Sequence, residues 1–320
     1  MLRIVVKRLL SALITLFLAT LALFIMIRLA PGDPVEIFMG RPGELTVSDP
    51  VIYQQRLNEM REKLGLDQNI AVQYVQWIKR LLHFDLGTSI FSRRPVATEI
   101  SERLPATILL SVAALLIQLI VGIIFGIISA VKAGKLADNA TRIACVFFAS
   151  IPAFVLGLLL LSFFAVKHNM YDISNAATFN RLWLPAIVLG VIGAPQLTRM
   201  VRSSMLTEFG KNYIVFSISR GFPRHLIVWH ALKNALLPIS TLVALAFTTL
   251  MGGAVVVESV FSWPGIGSYA LSSVLNHDYP VIQGYTVIMV SLVIIVNFLV
   301  DLAYMSVDPQ LRVGELQRRF

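Results

Sequence analysis

The chain has 320 residues, 57% of them hydrophobic and only 14% charged, with mean hydropathy +0.76 and a formal net charge of +9. A soluble domain is about 45–50% apolar and about 25% charged, so this composition excludes an ordinary soluble protein and describes an integral membrane one. The positive excess does not argue for nucleic acid, because it sits in short loops beside apolar runs, where positive-inside topology accounts for it. The single cysteine, Cys145, lies in an apolar run. That excludes an internal disulfide, argues against a metal cluster and reads as a small buried hydrophobe.

Arg3, Lys7 and Arg8 precede an apolar run from Leu9 to Leu29. About 20 apolar residues cross about 30 Å of hydrocarbon. The basic flank also suits a signal peptide, but the run is long and no small-residue cleavage site follows it. Residues 1–30 are therefore read as a tail and first span, ended by Ala30-Pro-Gly-Asp-Pro34. Residues 31–103 form the one long soluble stretch, with ten acids against nine Lys and Arg. That near balance suits an exported region. Asp49-Pro50 reads as an N-cap with proline in the first turn and Gly65 as a stop. Between them Tyr53, Leu57, Met60 and Leu64 share one face. A second helix is predicted from Ile70 to about His83, with Val75, Ile78 and Leu82 on one face and Trp77 and Leu81 beside it.

The second span is expected from Leu104 to Val131, with Pro105 at its start. Gly122 and Gly126 have the spacing that lets helices approach closely, and are packing candidates. Lys132, Lys135 and Arg142 outnumber Asp138 in the next loop, which places it inside the cell. A third span runs from Ile143 to Val166, kinked at Pro152. A short external loop, Lys167 to Leu182, leads to a fourth span from Trp183 to about Val201, with Arg199 and Arg202 at its inner end. The loop over 202–235 is basic, and Leu236 to Val257 is the fifth span. Glu258 to Pro280 lies outside again. Phe261-Ser-Trp-Pro-Gly-Ile-Gly267 reads as a turn anchored by Trp263, with Pro264 and Gly265 shaping it, and Ser268 to Leu275 as one short helix. The segment is too apolar for free solution and too short to span, which suits a re-entrant or interface-lying hairpin. Val281 to Met305 is the sixth span, and residues 307–320 form a basic tail. The expected fold is an all-α membrane protein with six spans and both termini inside.

One basic stretch stands apart. Lys211 to Pro238 carries Lys211, Arg220, Arg224 and Lys233 without an acid, yet also Tyr213, Phe216, Phe222 and Trp229. Gly221 and Pro223 divide it into a short helix and the start of the next. Apolar residues on a water-facing loop suit a partner surface; topology plus interfacial anchoring explains them equally well on charge alone.

The wording of this stretch, Gly221 followed by His230-Ala-Leu-Lys-Asn-Ala-Leu-Leu-Pro238, resembles the cytoplasmic coupling loop of ABC-importer permeases of the dipeptide/oligopeptide/nickel family. It departs from the family pattern at Ile218-Ser219-Arg220-Gly221, where Arg-Ala-Lys-Gly is usual, and Ser217 and Ser219 stand where an alanine pair is favoured. Leu64-Gly-Leu-Asp-Gln68, Asp85-Leu-Gly-Thr-Ser-Ile90 and Arg94-Pro-Val96 resemble the same family, where they lie between the first two spans of the B-type subunit. The run from Phe261 through Asp278-Tyr-Pro-Val-Ile-Gln283 is the most specific resemblance. It implies a type I importer permease fold, with residues 104–306 as the transmembrane domain and 31–103 as an extracytoplasmic helical insertion. It also implies a second, C-type permease, two cytoplasmic ATPase subunits that bind the ATP, and an extracytoplasmic solute-binding protein. Tyr213, Phe216, Ser217, Arg220, Gly221 and Phe222 are then the residues that meet the ATPase. No cofactor of the chain's own is implied.

The chemistry missing from the sequence agrees. There is no Gly-x-x-x-x-Gly-Lys-Ser/Thr phosphate loop, no Gly-x-Ser-x-Gly elbow and no His-Glu-x-x-His helix. His225 and His230 are five apart, not the four that stacks ligands on one helix face. His277 and Asp278 are external candidates, for which a loop-anchoring hydrogen bond is the plainer role. Intramembrane charges are functional candidates by default. Arg28 and Glu258 sit at span ends, where they reach water, and Asp301 with Asn297 lies near the inner end of the sixth span as a gate or packing pair. No acid or histidine sits at a midplane, as proton coupling would need. The alternative, a self-sufficient secondary carrier or channel, predicts transport by this chain alone without ATP.

Overall fold

The computed structural model describes residues 2–29, 50–63 and 67–307. It is built of helices: α1 (Leu2–Leu29), α2 (Pro50–Lys63), α3 (Ile70–Leu82), α4 (Val96–Val131), α5 (Leu136–Ser150), α6 (Ala153–Leu161), α7 (Phe179–Phe209), α8 (Asn212–Ser219), α9 (Arg224–Val260), α10 (Ile266–Leu275) and α11 (Tyr279–Val307). A π-helical turn, Ser162–Lys167, extends α6. Among the described residues four helices are long and apolar enough to cross a membrane, and five if α5 and α6 with its extension form one span. The stretch expected as the fifth span falls in α9, whose described apolar part is Leu245–Val260.

Two compact units are present, Met1–Arg103 with Tyr269–Ile295, and Leu104–Ser268 with Val296–Phe320. In the first, α3 packs on α1 through aromatic rings. Phe24 lies 5.3 Å from Tyr74 edge-on and 5.8 Å from Trp77 in a stacked arrangement, and the hydroxyls of Thr20 and Tyr74 are 3.2 Å apart. This corrects the expected face of α3. Gln73 and Trp77 are buried, while Val75 and Leu82 are exposed, because two aromatic rings cover more apolar surface than the aliphatic stripe. Tyr53 and Leu57 of α2 are buried as expected; Asp49, Leu64, Gly65 and the side chain of Met60 lie outside the described residues.

In the second unit, α4, α6, α7 and α9 enclose one core around Leu110, Leu184, Val188, Phe261 and Trp263. A second core joins Ala130, Leu197, Val201, Met205, Ile214, Ala231 and Ala235. Close approach of α4 and α7 needs the two glycines. A Cβ on Gly122 would stand 2.7 Å from the Leu197 side chain, and one on Gly126 2.6 Å from that of Val201. Two features differ from expectation, the start of α4 and the break in the third span. α4 starts at Val96 rather than Leu104, and Glu99 in its first turn suits the helix dipole. α9 starts at Arg224, directly after Pro223, where the turn at Gly221 and Pro223 places the start of the next helix. The third span is not kinked but turned by 95° between α5 and α6. Pro152 pushes the preceding Ile151 into extended backbone (ψ 124°) and lacks the N–H that would continue the helix.

Candidate functional site

α8 is a short helix between α7 and α9. Its inner side is fastened. Ile214 is buried in the second core beside Met205, Ala231 and Ala235. Ser217 is buried, and its hydroxyl donates to the Tyr213 carbonyl at 2.8 Å. Glu208, near the end of α7, accepts from Lys211 Nζ at 2.7 Å and from the Tyr213 hydroxyl at 2.9 Å. The hydrogen bond it donates to Glu208 holds the Lys211 ammonium above its usual range, and burial pushes the Tyr213 phenol up. The turn from α7 into α8 is thus pinned by an ion pair and a phenol on one buried carboxylate.

The C-terminus of α8 closes with a Schellman motif. Phe222 N–H donates to the Ser217 carbonyl at 3.1 Å and Gly221 N–H to that of Ile218 at 2.9 Å. Gly221 carries the left-handed backbone this requires, φ +74°, and a Cβ there would meet nothing within 4 Å. The demand for glycine is therefore conformational, not steric.

The outer side of α8 is apolar and uncovered. Val215, Phe216 and Ile218 are each close to 60% exposed, and Phe222, Leu226 and Trp229 continue the patch onto the next turn and α9. The Arg220 guanidinium lies 4.5 Å from the Phe216 ring centre. Of the six residues singled out for coupling, Phe216, Arg220, Gly221 and Phe222 lie on this open surface. Tyr213 and Ser217 face inward and hold the helix instead. Val215 and Ile218 were missed, although their spacing around Phe216 on a helix with Ile214 inside would have found them.

The predicted external residues divide between the units. In the second, Trp263 is fully buried and donates from Nε1 to the Ala106 carbonyl at 3.0 Å. Pro264 is partly buried beside it. Gly265 faces Glu258, where a Cβ would stand 2.2 Å from the carboxyl carbon. Glu258 does not reach water, as its place at a span end suggested. It is fully buried, accepting from Thr107 Oγ1 at 2.6 Å and from Ser268 N–H at 2.9 Å. Thr107 also accepts from Ile266 N–H at 2.9 Å. The hairpin folds back over the carboxylate because only there are these donors satisfied. In the first unit, Asp278 is buried and accepts from the Ser89 hydroxyl at 2.6 Å and from Ile90 N–H at 3.2 Å. It anchors the loop before α4, while His277 is exposed with φ +55°. Asn297 is exposed on α11; Asp301 falls in the same helix, its side chain outside the described residues.

Two further groups carry no local signature in the sequence, the buried Arg181 cation and the buried Asp138 carboxylate, which pairs with partly exposed Arg202. Arg181 donates to the carbonyls of Asp172, Ala176 and Phe261. Asp138 in the first turn of α5 is gripped by Arg202 of α7 through two hydrogen bonds of 2.8 Å and also accepts from Ser129 Oγ and Gly134 N–H. Among the described residues no group of three His, Cys, Asp or Glu is placed to hold a metal.

Comparison with known proteins decides the class. Residues 122–313 match the family described as binding-protein-dependent transport system inner membrane component, and residues 1–111 match its N-terminal companion. The chain belongs to this family. It is an ABC-type permease, a multi-pass inner-membrane subunit of a binding-protein-dependent importer. Its relatives include the dipeptide transport system permease protein DppB of Escherichia coli strain K12, 35% identical over 98% of this chain and 99% of DppB. The glutathione transport system permease protein GsiC of the same strain is 34% identical over the same shares. A probable peptide ABC transporter permease, y4tP of Sinorhizobium fredii, is 33% identical over 96% of this chain and 98% of its own. The inward-facing MetNI methionine ABC transporter contains a chain of the same fold, with TM-score 0.56 and 21% identity over 65% of this permease and 96% of that chain.

Proposed function

We propose that this permease forms half of the pathway by which di- or oligopeptides enter the cell, paired with a second, C-type permease. Two cytoplasmic ATPase subunits bind and hydrolyse the ATP, and an extracytoplasmic binding protein delivers the solute. The chain itself needs no cofactor and is not an enzyme. Both termini lie in the cytoplasm, in keeping with the basic loops. Peptide is the first choice because relatives bearing peptide names match along almost the whole chain. Glutathione is the nearest variant, and nickel chelates and metallophores belong to the same broad class.

One observation supports the coupling role above the others. α8 offers exposed Val215, Phe216 and Ile218 on one side while Ile214 on the other is locked into a core shared with α7 and α9. A partner groove seated on Phe216 moves Ile214, and with it the helices around Met205 and Ala231. ATP-driven closure of the ATPase pair then shifts the spans between inward- and outward-facing packings. Asn297 and Asp301, one turn apart on α11, are the gate candidates, and exposed His277 is the outer-loop candidate for meeting the binding protein.

The test is reconstitution. Liposomes holding both permeases, both ATPases and the binding protein should take up labelled dipeptide only with ATP, and liposomes holding this chain alone should not. Uphill uptake by the chain alone would establish the self-sufficient carrier instead.

A further inference from the structure

At the end of α4 a cavity of about 410 Å³ is lined by Ile127, Ile128, Val131, Lys132, Arg224, His225 and Val228. Its chemistry is divided. The floor is wholly aliphatic, from α4 and α9. The rim carries Lys132, Arg224 and His225, all exposed, and among the described residues no carboxylate lines it. Arg224 Nη2 reaches the Val131 carbonyl at 3.4 Å, which holds the guanidinium across the mouth.

The aliphatic floor continues outward. Leu116, Ile120, Ile124 and Ile128 lie four residues apart on α4 and are all exposed, so they form one uncovered track along the helix that ends in the cavity. α4 stops at Val131 and the first charge follows at once in Lys132. Apolar track and cationic rim therefore meet where the hydrocarbon of a bilayer gives way to its headgroups.

We propose that this cavity binds an anionic phospholipid. The acyl chain lies along Ile120, Ile124 and Ile128, and the headgroup phosphate sits between Lys132, Arg224 and His225. An acidic side chain of an ATPase subunit would satisfy the same cations but has no use for an aliphatic track several helical turns long.

The experiment uses the purified complex of both permeases and both ATPases, stripped of lipid. It is offered equal amounts of phosphatidylglycerol and phosphatidylethanolamine with matched acyl chains, and retained lipid is read by native mass spectrometry. The wild-type complex should retain phosphatidylglycerol preferentially, and excess inorganic phosphate should not displace it. Lys132→Gln with Arg224→Gln should lower that retention on the order of tenfold with the ATPases still attached. Val228→Trp, which fills the floor and leaves the cations, should lower it too. Equal retention of the two lipids, unchanged retention in the variants, or displacement by phosphate would each overturn the site. Loss of ATPase subunits with lipid retention unchanged would assign the cations to the protein partner and overturn it likewise.

Discussion

Thr107 Oγ1 donates a 2.6 Å hydrogen bond to Glu258 Oε1 across 151 residues of chain. With Ser268 N–H on the other oxygen, this one carboxylate ties the start of α4, the end of α9 and the hairpin that follows. A fully buried acid is tolerated only when its oxygens are satisfied.

Glu258→Ala should be severely destabilising. It leaves the Ser268 amide without its acceptor, strands the Thr107 hydroxyl donor and empties the space beneath Gly265, at a cost of about 2–4 kcal/mol. Glu258→Gln keeps the shape but loses one acceptor and should fall between wild type and alanine. Thermal unfolding in detergent reads the order; an alanine variant that melts with the wild type would refute the tie.

Gly221 separates conformation from contact. Because φ is +74° and no atom lies near its missing Cβ, Gly221→Ala should cost about 1 kcal/mol. Gly221→Asn, which accepts left-handed backbone, should cost less. Gly221→Val should reduce ATP-dependent uptake most. Equal uptake in all three would show that the turn does not limit coupling.

The two sides of α8 should fail differently. Phe216→Ser with Ile218→Ser removes exposed apolar surface, so it should abolish co-purification of the ATPases and leave the melting temperature unchanged. Ile214→Ala acts on a packed core and should lower stability by about 2–4 kcal/mol. If the outer pair lowers stability and leaves ATPase binding intact, α8 is a structural helix and not a docking surface.

Asp138 and Arg202 form a pair whose partners are not equivalent once separated. Arg202→Ala leaves a buried carboxylate and should cost about 3–5 kcal/mol, whereas Asp138→Ala leaves a guanidinium that is 26% exposed and reaches water, and should cost less. The double substitution Asp138→Leu with Arg202→Met should be milder than the worse single change. Unfolding midpoints of the three variants decide, and strict additivity would remove the pair as a unit.

The helical apolar runs and the turn at Gly221 were legible because apolar run length and glycine position are local properties; of the six spans expected, four helices, or five with α5 and α6 joined, are long and apolar enough to cross among the described residues. α4 was longer than read because Glu99 and Arg103 are polar, and polarity hides a helix that continues past the hydrocarbon. Pro152 was visible, but a kink and a 95° turn have the same local signature.

By itself, the order of residues determined an all-helical membrane protein and the family resemblance, and it marked out the basic, aromatic-rich segment around Gly221. Hydrophobic period and turn chemistry act within a few residues of each other, so they can be read along the chain. The tertiary structure alone decided that Glu258 is sealed in rather than wetted, that Ser217 and Tyr213 face the core while Val215 and Ile218 face out, and that Asp138 belongs to Arg202. Those outcomes depend on which distant donor or apolar surface arrives beside a group, and burial is a property of that meeting.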